Sequence, residues 1–401
     1  VTPEELERHL AGVTVEQLDE DPYPVFAAIR AVQPVAYVPC VDLWWACTWD
    51  AVEEVASDHR RFSAKPIPSP IDRTFGEPNV LTEDGAEQRR LRRMLDPSFR
   101  PRKVEDYAGP LMEPIIAERL DALAASGPAV ELMEGYFEPI SVRSLALVLG
   151  LEAFEADTLR RWFYGLAEGV INYEGDPERD RIGQAMSREV DDAVVPVLRR
   201  HFDEPNESTV SQMLQGAEGS FEERVAQVLP TLKVILLGGM QEPGHGAGSV
   251  ALGLLSDPAQ AAAFAADPAG LARRATEEGL RWIAPIGTQT RRVVADTTVQ
   301  GVAVPAGAGI SAMLSSANRD DAVWGSDADS FDLFREGGPV QAAFGHGTHY
   351  CVGHHFSRLQ VQMAVRALWE RFPEVRLDPN RSTHVRGWEF RAPRELPVLL
   401  G

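Results

Sequence analysis

The sequence predicts a mainly α-helical protein with a small β region, and three observations carry that expectation. Apolar residues recur at three- and four-residue spacing through long stretches, as in helices that bury one face. β-branched runs are few and short. No repeat or low-complexity linker interrupts residues 1–401, so the chain reads as one domain. In chain order, strands are expected at 35–37 and 43–48, then helices over 104–125, 141–150, 156–170, 181–202 and 221–255. A helix at 271–282 precedes β-forming residues at 293–304, where Gly and Pro punctuation between Gly301 and Ile310 suits a small sheet with tight turns. A helix over 356–371 and a strand at 375–377 complete the pattern.

Hydrophobic residues make up 44% and charged residues 25%, which is enough apolar material for a large core. The formal charge of −21, from 60 acidic against 39 basic side chains, repels phosphate backbones, so nucleic acid is excluded as a partner. One basic cluster, Arg89, Arg90, Arg92, Arg93, Arg100, Arg102 and Lys103, reads either as a dock for an acidic electron donor or as a solvated helix face. Three cysteines, Cys40, Cys47 and Cys351, are too few for a disulfide framework and suit a reducing compartment. The segment VTPEELERHL lacks the basic flank and apolar run of a signal peptide, and the apolar stretch 228–240 is interrupted by Pro230 and Lys233. The expectation is a cytoplasmic protein with no membrane partner.

The densest signal is Phe344-Gly345-His346-Gly347-Thr348-His349-Tyr350-Cys351-Val352-Gly353, which leads into helical spacing near His354. A metal-bound thiolate must be held anionic, and the positive end of the following helix favours that charge. Gly345, Gly347 and Gly353 let the backbone approach a flat ligand, and Phe344 can wall the sulfur from water. These residues resemble the cysteine loop of the cytochrome P-450 family, Phe-x-x-Gly-x-His-x-Cys-x-Gly, at every fixed position. The resemblance implies the cytochrome P-450 fold, haem b (iron protoporphyrin IX) lying between a long oxygen-side helix and the cysteine loop, and Cys351 as axial iron ligand. Elsewhere, Glu278-Gly279-Leu280-Arg281 resembles the family's Glu-x-x-Arg helix, with Arg335 after Phe331-Asp332-Leu333-Phe334 as third member of its ion network. By position, Arg92, Arg291 and His349 resemble the propionate partners. Gln88, on the same helical face as Arg92, stands where many relatives have histidine and keeps only a hydrogen-bonding role.

The string Leu236-Leu237-Gly238-Gly239-Met240-Gln241-Glu242-Pro243-Gly244-His245 departs from the family. Most relatives place an acid followed by Thr here to relay protons, whereas this chain has Gln241 then Glu242 and no alcohol. Pro243 withholds its N–H from the Gly239 carbonyl and kinks the helix. Glu242 is then the ionisable group available for protons, able to take one from hydrogen peroxide and return it to the leaving oxygen. Otherwise it caps the broken helix or faces solvent.

The same string resembles that of the bacterial aromatic O-demethylases of lignin-derived methoxyphenols such as guaiacol and syringol. That resemblance implies a ring clamp of Phe75, Phe163 and Phe390, walled by Leu81, Val234, Leu237, Gly238, Ile286 and Thr290. The implied reaction oxidises a methoxy carbon, and the hemiacetal collapses to formaldehyde and a catechol-type product. Phenylalanines at such positions also serve as plain core, and no polar partner for a phenol hydroxyl is evident. Two other readings stay open: a tailoring monooxygenase acting on a larger natural product, and a non-catalytic haem-binding protein. The oxidant is hydrogen peroxide, or dioxygen with a separate reductase or ferredoxin, because no flavin or iron–sulfur motif is present.

Overall fold

The computed structural model describes residues 2–65 and 69–401. Helices form most of the body around one large apolar cluster, and two smaller clusters sit under the β region and the N-terminal helices. The helix ends follow local chemistry. Ser220 caps the helix Phe221–Met240 in a reciprocal box with Glu223, and Asp267 accepts from Gly270 N–H (2.9 Å) to start Pro268–Trp282. Gly150, at φ 85°, ends Glu138–Leu149 in the left-handed conformation open to glycine.

The predicted helix over 221–255 is two helices, Phe221–Met240 and Glu242–Leu255, with Gln241 between them. Pro243 in the first turn of the second piece supplies the physical reason. Every residue from Glu242 to Leu255 is buried, so this helix runs through the centre of the molecule. Its small residues admit close neighbours: a Cβ on Gly244 would lie 2.9 Å from the Phe137 carbonyl oxygen. Other helices lie close to their expected spans, among them Pro101–Ser126, Ala156–Val170, Pro177–Asp203 and His354–Arg371. Unanticipated ones include Pro3–Leu10, Tyr23–Arg30 and Trp49–Ser57, while Gly85–Phe99 carries Gln88 and Arg92 on the helix expected there.

A five-stranded sheet orders Val35–Val38, Leu43–Ala46, Gly309–Met313, Thr288–Val293 and Phe62–Ser63. Leu43–Ala46 pairs in parallel with Gly309–Met313, and the other neighbours are antiparallel. The β-forming stretch 293–304 is thus the end of Thr288–Val293 plus a hairpin of Thr297–Val299 and Val302–Val304. Among the described residues no helix is long and apolar enough to cross a membrane.

Candidate active site

An apolar cavity opens between the central helix break and the loop carrying Cys351. Two backbone features shape that loop. Cys351 N–H donates to the Phe344 carbonyl (2.9 Å), and Gly345 turns at φ 73°, where a side chain would press on Gln289. The helix Gly85–Phe99 pins it from one side: Gln88 donates to the Thr348 carbonyl (2.9 Å) and Arg92 to the Tyr350 carbonyl (2.8 Å). Gly353 caps the helix His354–Arg371 beneath the sulfur. Burial pushes the Cys351 thiol up, while the N–H groups of Gly353 and His354 and the charges of Arg92 and Arg358 pull the other way. The Phe344 ring lies against Tyr350 and His354, with the Arg358 guanidinium over its face at 4.2 Å.

The same cavity is bordered by Arg92, Arg291 and His349. Burial brings Arg291 down to about 10, and its Nη2 has no hydrogen-bond partner among the described residues. A deep guanidinium without a carboxylate is costly, and one that gains a ligand carboxylate is not. His349 meets Asp84 at 3.2 Å. A sulfur donor backed by helix N–H groups, an apolar cavity, the two guanidinium groups of Arg92 and Arg291 and the His349 ring on its lining fit a haem with two propionates. Asp84 was not anticipated, because its tie to His349 joins distant parts of the chain.

Behind the loop, Arg281 grips Glu278 through Nε (2.7 Å) and Nη2 (2.8 Å), and donates further to the carbonyls of Asn318, Ala328 and Ser330. Arg335 adds a third contact to Glu278 (3.1 Å). The expected three-membered ion network is therefore assembled in space.

Phe75, Leu81, Val234, Leu237, Gly238, Ile286, Thr290 and Phe390 all border the same cavity. Phe163 does not: it packs edge-on behind Phe390, centroids 6.2 Å apart, and against His245 at 5.8 Å. Glu242 borders the cavity, whereas Gln241 is fully buried away from it with neither amide atom paired among the described residues. His245 lies between two carboxylates, Nδ1 3.4 Å from Glu242 and Nε2 3.6 Å from Glu138. Burial disfavours the charged ring, but the two carboxylates outweigh it and raise His245 to about 9. Two more cavity-side groups escaped sequence reasoning. Glu389, next to Phe390, accepts from Thr288 (2.9 Å) and is pushed up to about 7 by burial, and Tyr173 borders the cavity nearby.

Comparison with known proteins supplies the family. Residues 271–385 match the family model described as Cytochrome P450. The 6-deoxyerythronolide B hydroxylase of Saccharopolyspora erythraea is 30% identical over 96% of this chain and 99% of its own. Cytochrome P450 107B1 of the same organism is 31% identical over 81% of this chain and 78% of its own. The structure of P450BioI with a hexadec-9Z-enoic acid ligated acyl carrier protein superposes at TM-score 0.86, covering 96% of this chain and 100% of that one at 24% identity. The cysteine loop, the Glu278–Arg281 pair and these alignments converge: the chain belongs to the cytochrome P450 family of haem b-dependent monooxygenases.

Proposed function

We propose that residues 1–401 form one haem domain that oxidatively removes a methyl group from a small methoxyphenol of the guaiacol or syringol type. The observation that carries this reading is the cavity wall. Phe75 and Phe390 face it among aliphatic side chains, and Gly238 leaves space where a Cβ would meet nothing within 4 Å among the described residues. Two aromatic faces hold a flat ring by offset and edge contacts of about 0.5–1.5 kcal/mol each beyond burial. Phe163 stiffens Phe390 from behind.

Cys351 would bind the haem iron as a thiolate, and Arg92, Arg291 and His349 would hold the propionates. Bound haem supplies the oxidising power that converts the methoxy group to its hemiacetal, which then breaks its C–O bond to give formaldehyde and a catechol-type product. The chain orients the ring, shields it from water and moves protons. Glu242, bordering the cavity without an alcohol neighbour, exchanges protons with the oxidant as base and then acid. Family monooxygenases draw electrons from separate reductase or ferredoxin partners. In this chain the carboxylate also supports direct use of hydrogen peroxide.

Titration of the purified holoenzyme with a panel of methoxyphenols tests the substrate class: the Soret band shifts to shorter wavelength as the ring binds. A flat response across the panel removes the aryl-ether reading. A second reading, hydroxylation of a larger natural product, is favoured by the relationship to 6-deoxyerythronolide B hydroxylase. A Soret shift with macrolactones and none with methoxyphenols selects it. For the proton role, Glu242→Gln lowers peroxide-driven turnover at least tenfold, and an unchanged rate removes Glu242 from the chemistry.

A further inference from the structure

A line of alternating charges runs from the protein surface to the cavity. Glu134, whose side chain is 73% exposed, pairs with Arg160 Nη1 at 2.8 Å. Arg160 Nε donates to Glu138 Oε2 at 2.7 Å. Glu138 Oε1 stands 3.6 Å from His245 Nε2, and His245 Nδ1 stands 3.4 Å from Glu242 Oε2. Glu138, His245 and Glu242 are all at least nine-tenths buried. A purely structural pair this deep gains little over an apolar replacement unless its geometry is tight and its remaining hydrogen bonds are made. Here they are not: both Glu242 oxygens and His245 Nδ1 lack an aligned hydrogen bond among the described residues. The groups facing the imidazole are Glu242, Glu138 and the edge of Phe163, with Arg160 and Tyr164 one step behind.

We propose that His245 is the proton store that recharges Glu242, and that Glu138 refills it from solvent. This inference rests on the reading of Glu242 as the group that hands protons into the cavity. The imidazolium Nδ1–H bond breaks as the Glu242 O–H bond forms, leaving a neutral ring and a neutral carboxyl. Glu242 gives that proton up to the oxidant. The proton lost by the ring is replaced by one that water delivers to Glu138 beside Arg160. Arg160 keeps its own proton throughout and holds the Glu138 carboxylate in place. Burial works against that carboxylate, but His245 and Arg160 hold it below the usual range.

The proton balance makes the role separable from structure. The dioxygen route consumes two reductase electrons and two solvent protons per hydroxyl inserted and water released. The peroxide route takes in hydrogen peroxide and releases water with no net proton from solvent. A solvent-fed store therefore serves the first route and is marginal to the second. In His245→Gln holoenzyme, reductase-driven product formation falls at least tenfold further than peroxide-driven formation, and more of the reductant's electrons emerge as hydrogen peroxide. Glu138→Gln follows in the same direction. Equal losses on both routes, or none on either, overturn the proposal. Where peroxide turnover is too slow to compare, the electron leak alone decides. The Glu242 reading fails separately, through unchanged peroxide turnover in Glu242→Gln. Should His245→Gln not fold, NMR of ring-labelled histidine in the carbonyl-bound ferrous wild type takes its place. The His245 signal reports an imidazolium at pH 7.5 and its titration falls by at least one pH unit in Glu242→Gln; a neutral ring at that pH overturns the store.

Discussion

The buried carboxylate of Glu278 answers to Arg281, Arg335 and the Asp332 N–H together. Removing one member of a buried ion pair strands the rest, so Glu278→Ala is expected to cost about 3–5 kcal/mol, read from the midpoint of denaturant unfolding. His245 gives a second expectation. Its folded-state value, raised to about 9 from 6.5, means that its stabilising contribution is complete below pH 6.5 and is lost as pH rises through about 9. Wild-type stability measured across that window falls with pH, and His245→Gln flattens the slope. Legibility in the sequence tracks contiguity here. Cys351 and its glycines stand in one run, and Glu278 and Arg281 are a helical turn apart, so both were readable. Asp84 with His349, and Glu138 with His245, pair across long separations, and no local pattern announces them.

Helices obey the same logic. Long amphipathic segments such as Ala156–Val170 declare themselves by spacing, and Pro243 announces the break at Gln241. The first two helices, Pro3–Leu10 and Val15–Glu20, bury only a residue or two each and depend on the caps Thr2 and Thr14, so their periodic signal is faint. The break serves the site, because it turns Glu242 into the first residue of a helix beside the cavity. The contact between Pro268–Trp282 and the central helix is equally demanding: a Cβ on Gly279 would sit 2.8 Å from the Val250 Cα, a backbone atom that cannot rotate aside. Gly279→Ala gains about 1 kcal/mol of helix propensity. Forcing the two helices apart costs about 1–3 kcal/mol. Net destabilisation is therefore expected, visible as a lower Tm and weaker haem retention, because Glu278 shifts with its helix. A raised Tm would show that the helices separate freely.

Charge is unevenly shared over the molecule. Against a net −21, Arg89, Arg93, Arg100, Arg102 and Lys103 are exposed on and just after the helix that pins the cysteine loop. An acidic electron donor is steered to such a face, and the steering fades once the Debye length shrinks to about 8 Å at physiological salt. The double substitution Arg93→Glu/Arg102→Glu is expected to slow reduction by an acidic ferredoxin about tenfold at low ionic strength and to flatten its salt dependence, while ligand-binding spectra stay the same. Stopped-flow reduction across a salt series checks this. The broad α-rich architecture was legible because composition and periodicity act throughout the chain; the sheet order was not, because it is a matter of distant partners. That order also constrains how the molecule comes into being. Trp44 finds its parallel neighbour Ile310 only after residues 309–313 have left the ribosome. Until then the strand pair 35–46 has an open edge, and nascent chains stalled before Gly309 should be the species that chaperones hold and proteases cut.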